Sequence, residues 1–306
     1  MKKFFALLCA ALLVTLAACG KSDAPSPTDG TASATIPIAQ PTNAPTDAST
    51  EPITEQTSMG ETVLVDNDSV TFTIVKAEDS EHLGMQLQVR CVNKTGRNLM
   101  FSWDMVSVCG YMYDPMWAVE VAAGKTANST IELDTYALEQ MGITAADEIT
   151  FTLRISDSEN WMEKPIIEEA FTIYPTGHSA QTLVLPEHIP VAGQVVVADD
   201  EHVRFVIERG QHASGYTLQV YLENKTDRNL MYAWDQVSVN GFMVDPFWAM
   251  SVAAGKKACS EISFLDSDLE RNGIKAVSDI EFTLLVSDYD NWENGNLLEK
   301  TYTYIP

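Results

Sequence analysis

The residues able to do chemistry in this sequence come in pairs. Trp103, Trp117 and Trp161 recur as Trp234, Trp248 and Trp292, at a constant offset of 131 positions (Trp234 against Trp103). Asp157 and Asp288 each open a loop reading Asp-x-acid-Asn-Trp. An indole on a loop just past a strand is a stacking platform for a sugar or a peptide. Trp161, Trp292, Asp157 and Asp288 are therefore the candidate ligand-binding residues. The other tryptophans lie in alternating segments, where large aromatics pack inside. The second loop also offers oxygen donors of the kind calcium takes, with Asp288, Asp290 and Glu293 as calcium candidates. It lacks the spacing of an EF-hand, and the first loop has fewer donors, so a solvated acidic turn is the expectation.

Other chemistries find little support. His82, His178, His188, His202 and His212 share no position between the copies, and no His-x-x-x-His or Cys-x-x-Cys spacing occurs. A Gly-x-Ser-x-Gly elbow and a Gly-rich phosphate loop are both missing from the sequence. No catalytic residue and no cofactor is assigned, and a non-enzymatic protein is expected. Formal net charge is −24. Such a surface repels phosphate backbones, which excludes nucleic acid as a partner.

The elements that must position these residues follow from the repeat. Asn93–Lys125 (NKTGRNLMFSWDMVSVCGYMYDPMWAVEVAAGK) returns as Asn224–Lys256. Copy one covers 61–175 and copy two 193–306, with a linker at 176–192 whose Leu183 and Leu185 could pack on either copy. Val70, Phe72 and Ile74 alternate with polar residues, as do Val203, Phe205 and Ile207, which is the pattern of a half-buried strand. Asn240-Gly241 between two apolar alternations signals a tight hairpin, because both residues must adopt positive φ. Copy one has Cys109-Gly110 there, and a cysteine predicts a different turn. Asp266–Gly273 and Thr135–Gly142 each read as one short helix, with capping residues at the start and glycine at the end. About seven short strands per copy, with frequent turns, predict an all-β fold: two tandem Ig-like antiparallel β-sandwiches, each with one short helix.

Three cysteines remain beyond the first 19 residues, Cys91, Cys109 and Cys259, and none recurs in the other copy. No repeated disulfide is possible, and Cys91, matching Leu222, reads as a buried hydrophobe.

The N-terminus reads as an address. Met1-Lys2-Lys3 precedes an apolar run, Phe4–Thr15, too short to span a bilayer comfortably. Leu16-Ala17-Ala18-Cys19 then resembles the lipobox of bacterial lipoproteins. That resemblance implies removal of residues 1–18 as a signal peptide and lipid attachment at Cys19. Two acyl chains would anchor the protein stably on the extracellular face of the cell membrane. Residues 19–60 are rich in Pro, Thr, Ala and Ser and are expected to form a disordered linker, roughly 35 Å end to end.

The pattern NKT…VSVNG…AAGK…LxxxGI…ISD or VSD resembles the Ig-like domains of uncharacterised surface lipoproteins from anaerobic Firmicutes. The resemblance covers both copies and implies fold and location, with no activity attached. The expected function is a non-catalytic binding or display module for a glycan, a wall polymer or a protein. The alternative is a structural spacer or envelope-assembly protein with no small ligand.

Overall fold

The computed structural model describes residues 59–306, apart from 81–83, 161 and 214. The expected signal segment 1–18, the lipid-attachment residue Cys19 and nearly all of the 19–60 linker lie outside the described residues. No helix among the described residues is long and apolar enough to cross a membrane.

Each copy is a two-sheet sandwich of nine strands. In copy one, β1 (Thr62–Asp66), β2 (Val70–Ser80), β3 (Gly84–Asn93) and β7 (Thr126–Leu133) form one sheet in the order β1-β2-β3-β7. The facing sheet runs β5-β4-β8-β9, from β5 (Tyr111–Met112), β4 (Leu99–Val108), β8 (Ile149–Asp157) and β9 (Ile167–Ile173), with β6 (Ala118–Val121) also paired to β4. Copy two repeats this. Its first sheet is β10 (Val195–Asp199), β11 (Val203–Ala213), β12 (Gly215–Asn224) and β16 (Lys257–Phe264). Its second is β14 (Phe242–Met243), β13 (Leu230–Val239), β17 (Ile280–Asp288) and β18 (Asn296–Tyr304), with β15 (Ala249–Val252) on β13. Pairing within each copy is antiparallel throughout. The all-β sandwich architecture is the expected one, with more strands than the expected seven. The extra strands include β1 and β10, edge strands that slip register at a bulge and so show no clean alternation.

Period-two alternation explains the packing. In β4 Leu99, Phe101 and Trp103 point inward, and in β13 Leu230, Tyr232 and Trp234 do the same. Trp103 stacks on Phe151 at 3.8 Å and 15°, and Trp234 on Phe282 at 3.7 Å and 13°. Trp117 and Trp248 meet these indoles edge-on, and each donates its Nε1–H to a serine hydroxyl, Ser129 at 3.0 Å and Ser260 at 3.1 Å. Offset and edge-to-face contacts of this kind add to plain area burial. Of the four tryptophans read as core, Trp103, Trp117 and Trp234 are buried, and Trp248 is partly buried against the core of copy two.

The punctuation is bracketed by buried asparagines. The Asn93 side chain donates to the Arg97 and Val121 carbonyls and accepts from the Thr95 amide and hydroxyl. Asn224 makes the equivalent set with Arg228, Val252 and Thr226. A buried amide so fully partnered fixes the turn's geometry. The two short helices are α1 (Thr135–Gln140) and α2 (Asp266–Arg271). Their caps differ from expectation in copy two: Asp134 accepts from the Tyr136 amide in α1, whereas α2 starts at Leu265 with no side-chain cap. Acidic Asp266 and Asp268 in its first turn favour the helix dipole instead.

The hairpin tips also correct the sequence reading. Cys109 has φ 47° and Gly110 φ 85°, against 51° and 80° for Asn240 and Gly241, so both copies build the same turn. Asn240 holds it by bonding the Ala276 carbonyl and the Ser278 amide. Cys109 is held by its amide on the Glu148 carbonyl at 2.8 Å and its thiol on the Ala145 carbonyl at 3.4 Å. Anchoring from the neighbouring loop overrides the cysteine's local preference.

Candidate functional site

The two copies belong to one compact unit, Thr54–Pro306, and a cleft lies at their junction. It is built from the turn just described. Gly110 accepts a hydrogen bond from the Lys257 amide at 2.9 Å, so β5 of copy one pairs in parallel with β16 of copy two. That bridge makes one sheet of nine strands across both sandwiches.

Side chains seal the bridge. Tyr111 is 1% exposed and faces Tyr221 at 6.5 Å between ring centres, with the Lys257 ammonium 5.5 Å above its ring. Met112 enters the core of copy two, and its sulfur accepts the Ala253 amide at 3.4 Å. Val206 and Tyr221 of copy two in turn pack into the core of copy one. Lys256 and Glu148 form an ion pair at 3.2 Å, both largely shielded. The linker supplies His188, which stacks on Tyr221 at 3.6 Å and 9° and stands 3.3 Å from Glu208.

Burial sets the charges here. It pushes Glu208 above the ordinary glutamate range, with Arg209 pulling the other way. It lowers His188, and Arg204 and Lys257 lower it further while Glu223 opposes. The Tyr111 phenol and the Cys259 thiol are each pushed up to about 12. Desolvation disfavours whichever form carries the charge, so the Tyr111 phenol, the Cys259 thiol and the His188 imidazole are neutral at pH 7.

The cleft has a volume of about 800 Å³. Trp103, Met105, Tyr113 and Tyr136 line it from copy one, and Cys259 from copy two. A bulge between Asp104 and Ser107 aims Met105 across the junction, with φ 48° and its amide on the Asp104 carboxylate. Six carboxylates (Asp104, Asp114, Glu139, Glu187, Glu208 and Glu261) line the cleft against one arginine, Arg209. Aromatic walls with acceptor oxygens can hold a sugar face or a basic segment, and they repel anions.

Of the residues assigned to a ligand from the sequence, neither Asp157 nor Asp288 lines this cleft. Asp288 is 2% exposed, and its carboxylate is taken up by the Asp290 and Asn291 amides and by Arg228 at 3.2 Å. Asp157 does the same work, accepting from the Glu159 amide at 2.9 Å and from Arg97 at 3.1 Å. The Glu159 amide holds its carboxyl below the usual range, with Arg97 adding to it. Both aspartates are turn brackets, a role their loop position and acidity concealed. Of the calcium candidates Asp288, Asp290 and Glu293, the first two already have partners within the protein. Arg228 already neutralises Asp288, Asp290 bonds Asn229, and no three acidic, cysteine or histidine side chains among the described residues gather as a metal site. Trp161 lies outside the described residues, as does the side chain of Trp292.

Sequence reasoning missed Tyr111, Met112, Tyr221, His188 and Glu208. A signal existed at one of them. Tyr221 matches Arg90, and a position that is aromatic in one copy and charged in its twin has a different environment in each.

No family model matches the chain, and no curated protein matches it. Among solved structures, the Salmonella enterica SafA pilin in complex with the SafB chaperone aligns over 79% of this chain and 98% of that chain, at 11% identity and a TM-score of 0.25. A TM-score that low carries no argument, and the fold rests on the strands described above.

Proposed function

We propose that this protein is a cell-surface lipoprotein, held through Cys19 on the extracellular face of the membrane, that displays two coupled β-sandwiches as a non-catalytic binding module. The observation that carries the binding reading is the cleft, which exists only where the two copies meet. Its ligand would be a glycan or a basic protein segment, since the walls are aromatic and the lining acidic. The non-catalytic part is supported by the cleft's own groups. Its one lining thiol, Cys259, is kept protonated by burial, and a protonated thiol is a poor nucleophile.

Tyr136 is the side chain to test, because it lines the cleft and is 69% exposed, so its loss leaves the core intact. Tyr136→Ala is expected to abolish retention on glycan arrays and wall-polymer pull-downs. A Trp161→Ala/Trp292→Ala variant run beside it separates the cleft from the loop candidates. Retention unchanged in Tyr136→Ala sinks the cleft assignment. Cys19→Ala is expected to move the protein from the membrane fraction to the medium.

The spacer reading has its own support: the indoles of Trp103, Trp117, Trp234 and Trp248 are packed in or against the two cores. It predicts that no array or polymer retains the wild-type protein.

A further inference from the structure

The junction between the copies uses one surface from each, and the twin of each surface is open. Copy one gives its β4–β5 hairpin tip, and copy two receives it on the edge of β16. Copy two carries the same tip as Gly241-Phe242-Met243, joined only to β13 among the described residues. Copy one carries the same receiving edge as β7, joined only to β3 among the described residues. The contrast in exposure is large. Tyr111 and Met112 are 1% and 7% exposed, whereas their counterparts Phe242 and Met243 are 49% and 69% exposed. The tip of copy two is thus an apolar hairpin built to the same geometry as a docked one, and among the described residues it is exposed.

We propose that the tip of copy two docks on the β7 edge of copy one in a second molecule, repeating the internal junction between chains. The hairpin turn, the receiving strand edge and the charge pair of the internal junction each have a counterpart on the open surfaces. Gly241 would accept from the Thr126 amide as Gly110 accepts from Lys257, since Thr126 stands opposite Val92 in the register that Lys257 keeps with Glu223. Lys125, which is exposed, would meet Asp279 as Lys256 meets Glu148. Phe242 would face Arg90 where Tyr111 faces Tyr221, and an aromatic ring over a guanidinium is attractive. The surface used on each molecule differs from the one it meets, so the contact is head-to-tail. Such contacts extend into an open chain unless the rotation closes a ring. The junction between molecules is weaker than the internal one. Thr73 and Asn128 replace Val206 and Cys259 on the receiving face, as the β2–β3 and β3–β7 registers align them.

The test uses two charge reversals in the full chain, purified in mild detergent and followed by sedimentation velocity. Wild type is expected to show sedimentation that rises continuously with concentration, past the dimer. Lys125→Glu alone sets like charges at every junction, and so does Asp279→Lys alone, and each is expected to stay monomeric. An equimolar mixture is expected to regain association, because every junction between unlike molecules then pairs opposite charges. Phe242→Asp is expected to stay monomeric alone and in the mixture. A monomer at every concentration for wild type, a closed dimer, or variants that associate as wild type does would each overturn the proposal.

Discussion

The two copies share a core and differ on one outer face. Trp103 on Phe151 and Trp234 on Phe282 are nearly superposable contacts, as are the Asn93 and Asn224 brackets. On the outside of the first sheet the copies part. Copy two presents Val206, Tyr221 and Cys259 to the junction, and copy one has Thr73, Arg90 and Asn128 at those positions. The hairpin tips stayed apolar in both copies, whether docked or not. A duplicated domain therefore keeps its interior under the constraint of packing, and its exterior records what each copy touches.

Exchanging the divergent residues tests that account most severely. Tyr221→Arg puts the residue of copy one into the junction and strands a charge there, at a cost of about 3–5 kcal/mol. The reverse change, Arg90→Tyr on an open face, is expected to stay within about 0.5 kcal/mol. Urea denaturation measures both, and Tyr221→Arg should also split a single transition into two. Truncating the tips comes next. Tyr111→Ala should cost about 3 kcal/mol and Phe242→Ala about 0.5 or less in dilute solution, read from the same denaturation curves. Equal costs would mean that the junction is not where copy one's tip is stabilised. Smaller again is the ion pair. Lys256→Met leaves shielded Glu148 without its cation and should cost about 1–3 kcal/mol, whereas Lys125→Met should cost nothing measurable in the monomer.

The smallest effect is on pH, and it belongs to the junction, where the linker and copy two meet. The His188 pKa is lowered, so the folded chain refuses a proton that the unfolded chain takes below about 6.5. Its contribution is therefore intact above that value and is lost as the pH falls through it. Glu208 acts in the opposite sense: its raised pKa lets the folded chain take a proton before the unfolded one does, near 4.5, and acid then restores stability. Thermal unfolding should show a dip below pH 6.5 that His188→Gln removes. Arg204, Lys257 and Glu223 are the other charges that act on this imidazole, and their substitution should shift the dip.

Alternation was enough to read the sandwich, because each strand buries one face and nearly every second residue reports it. Edge strands β1 and β10 escaped, since a bulge breaks the period where pairing matters least. The turn at Cys109 was misread for a different reason: its anchors, Ala145 and Glu148, lie 36 residues or more away in sequence. The candidate site was the least legible part. Asp157 and Asp288 looked like donors because an acidic loop residue reads the same whether it faces water or its own backbone. The cleft is made by two copies meeting, and periodicity within one copy says nothing about its neighbour.

The Gly110–Lys257 bridge also has a history in time. Copy one leaves the ribosome first, and until β16 exists Tyr111 and Met112 are an uncovered apolar tip. Tandem domains of like sequence are prone to misassemble at that stage. Arg90 helps here, because the receiving face of copy one is a poorer seat for Tyr111 than the Tyr221 face still to come. The difference between two residues 131 positions apart thus sorts the tip of copy one to its own chain before a neighbour can claim it.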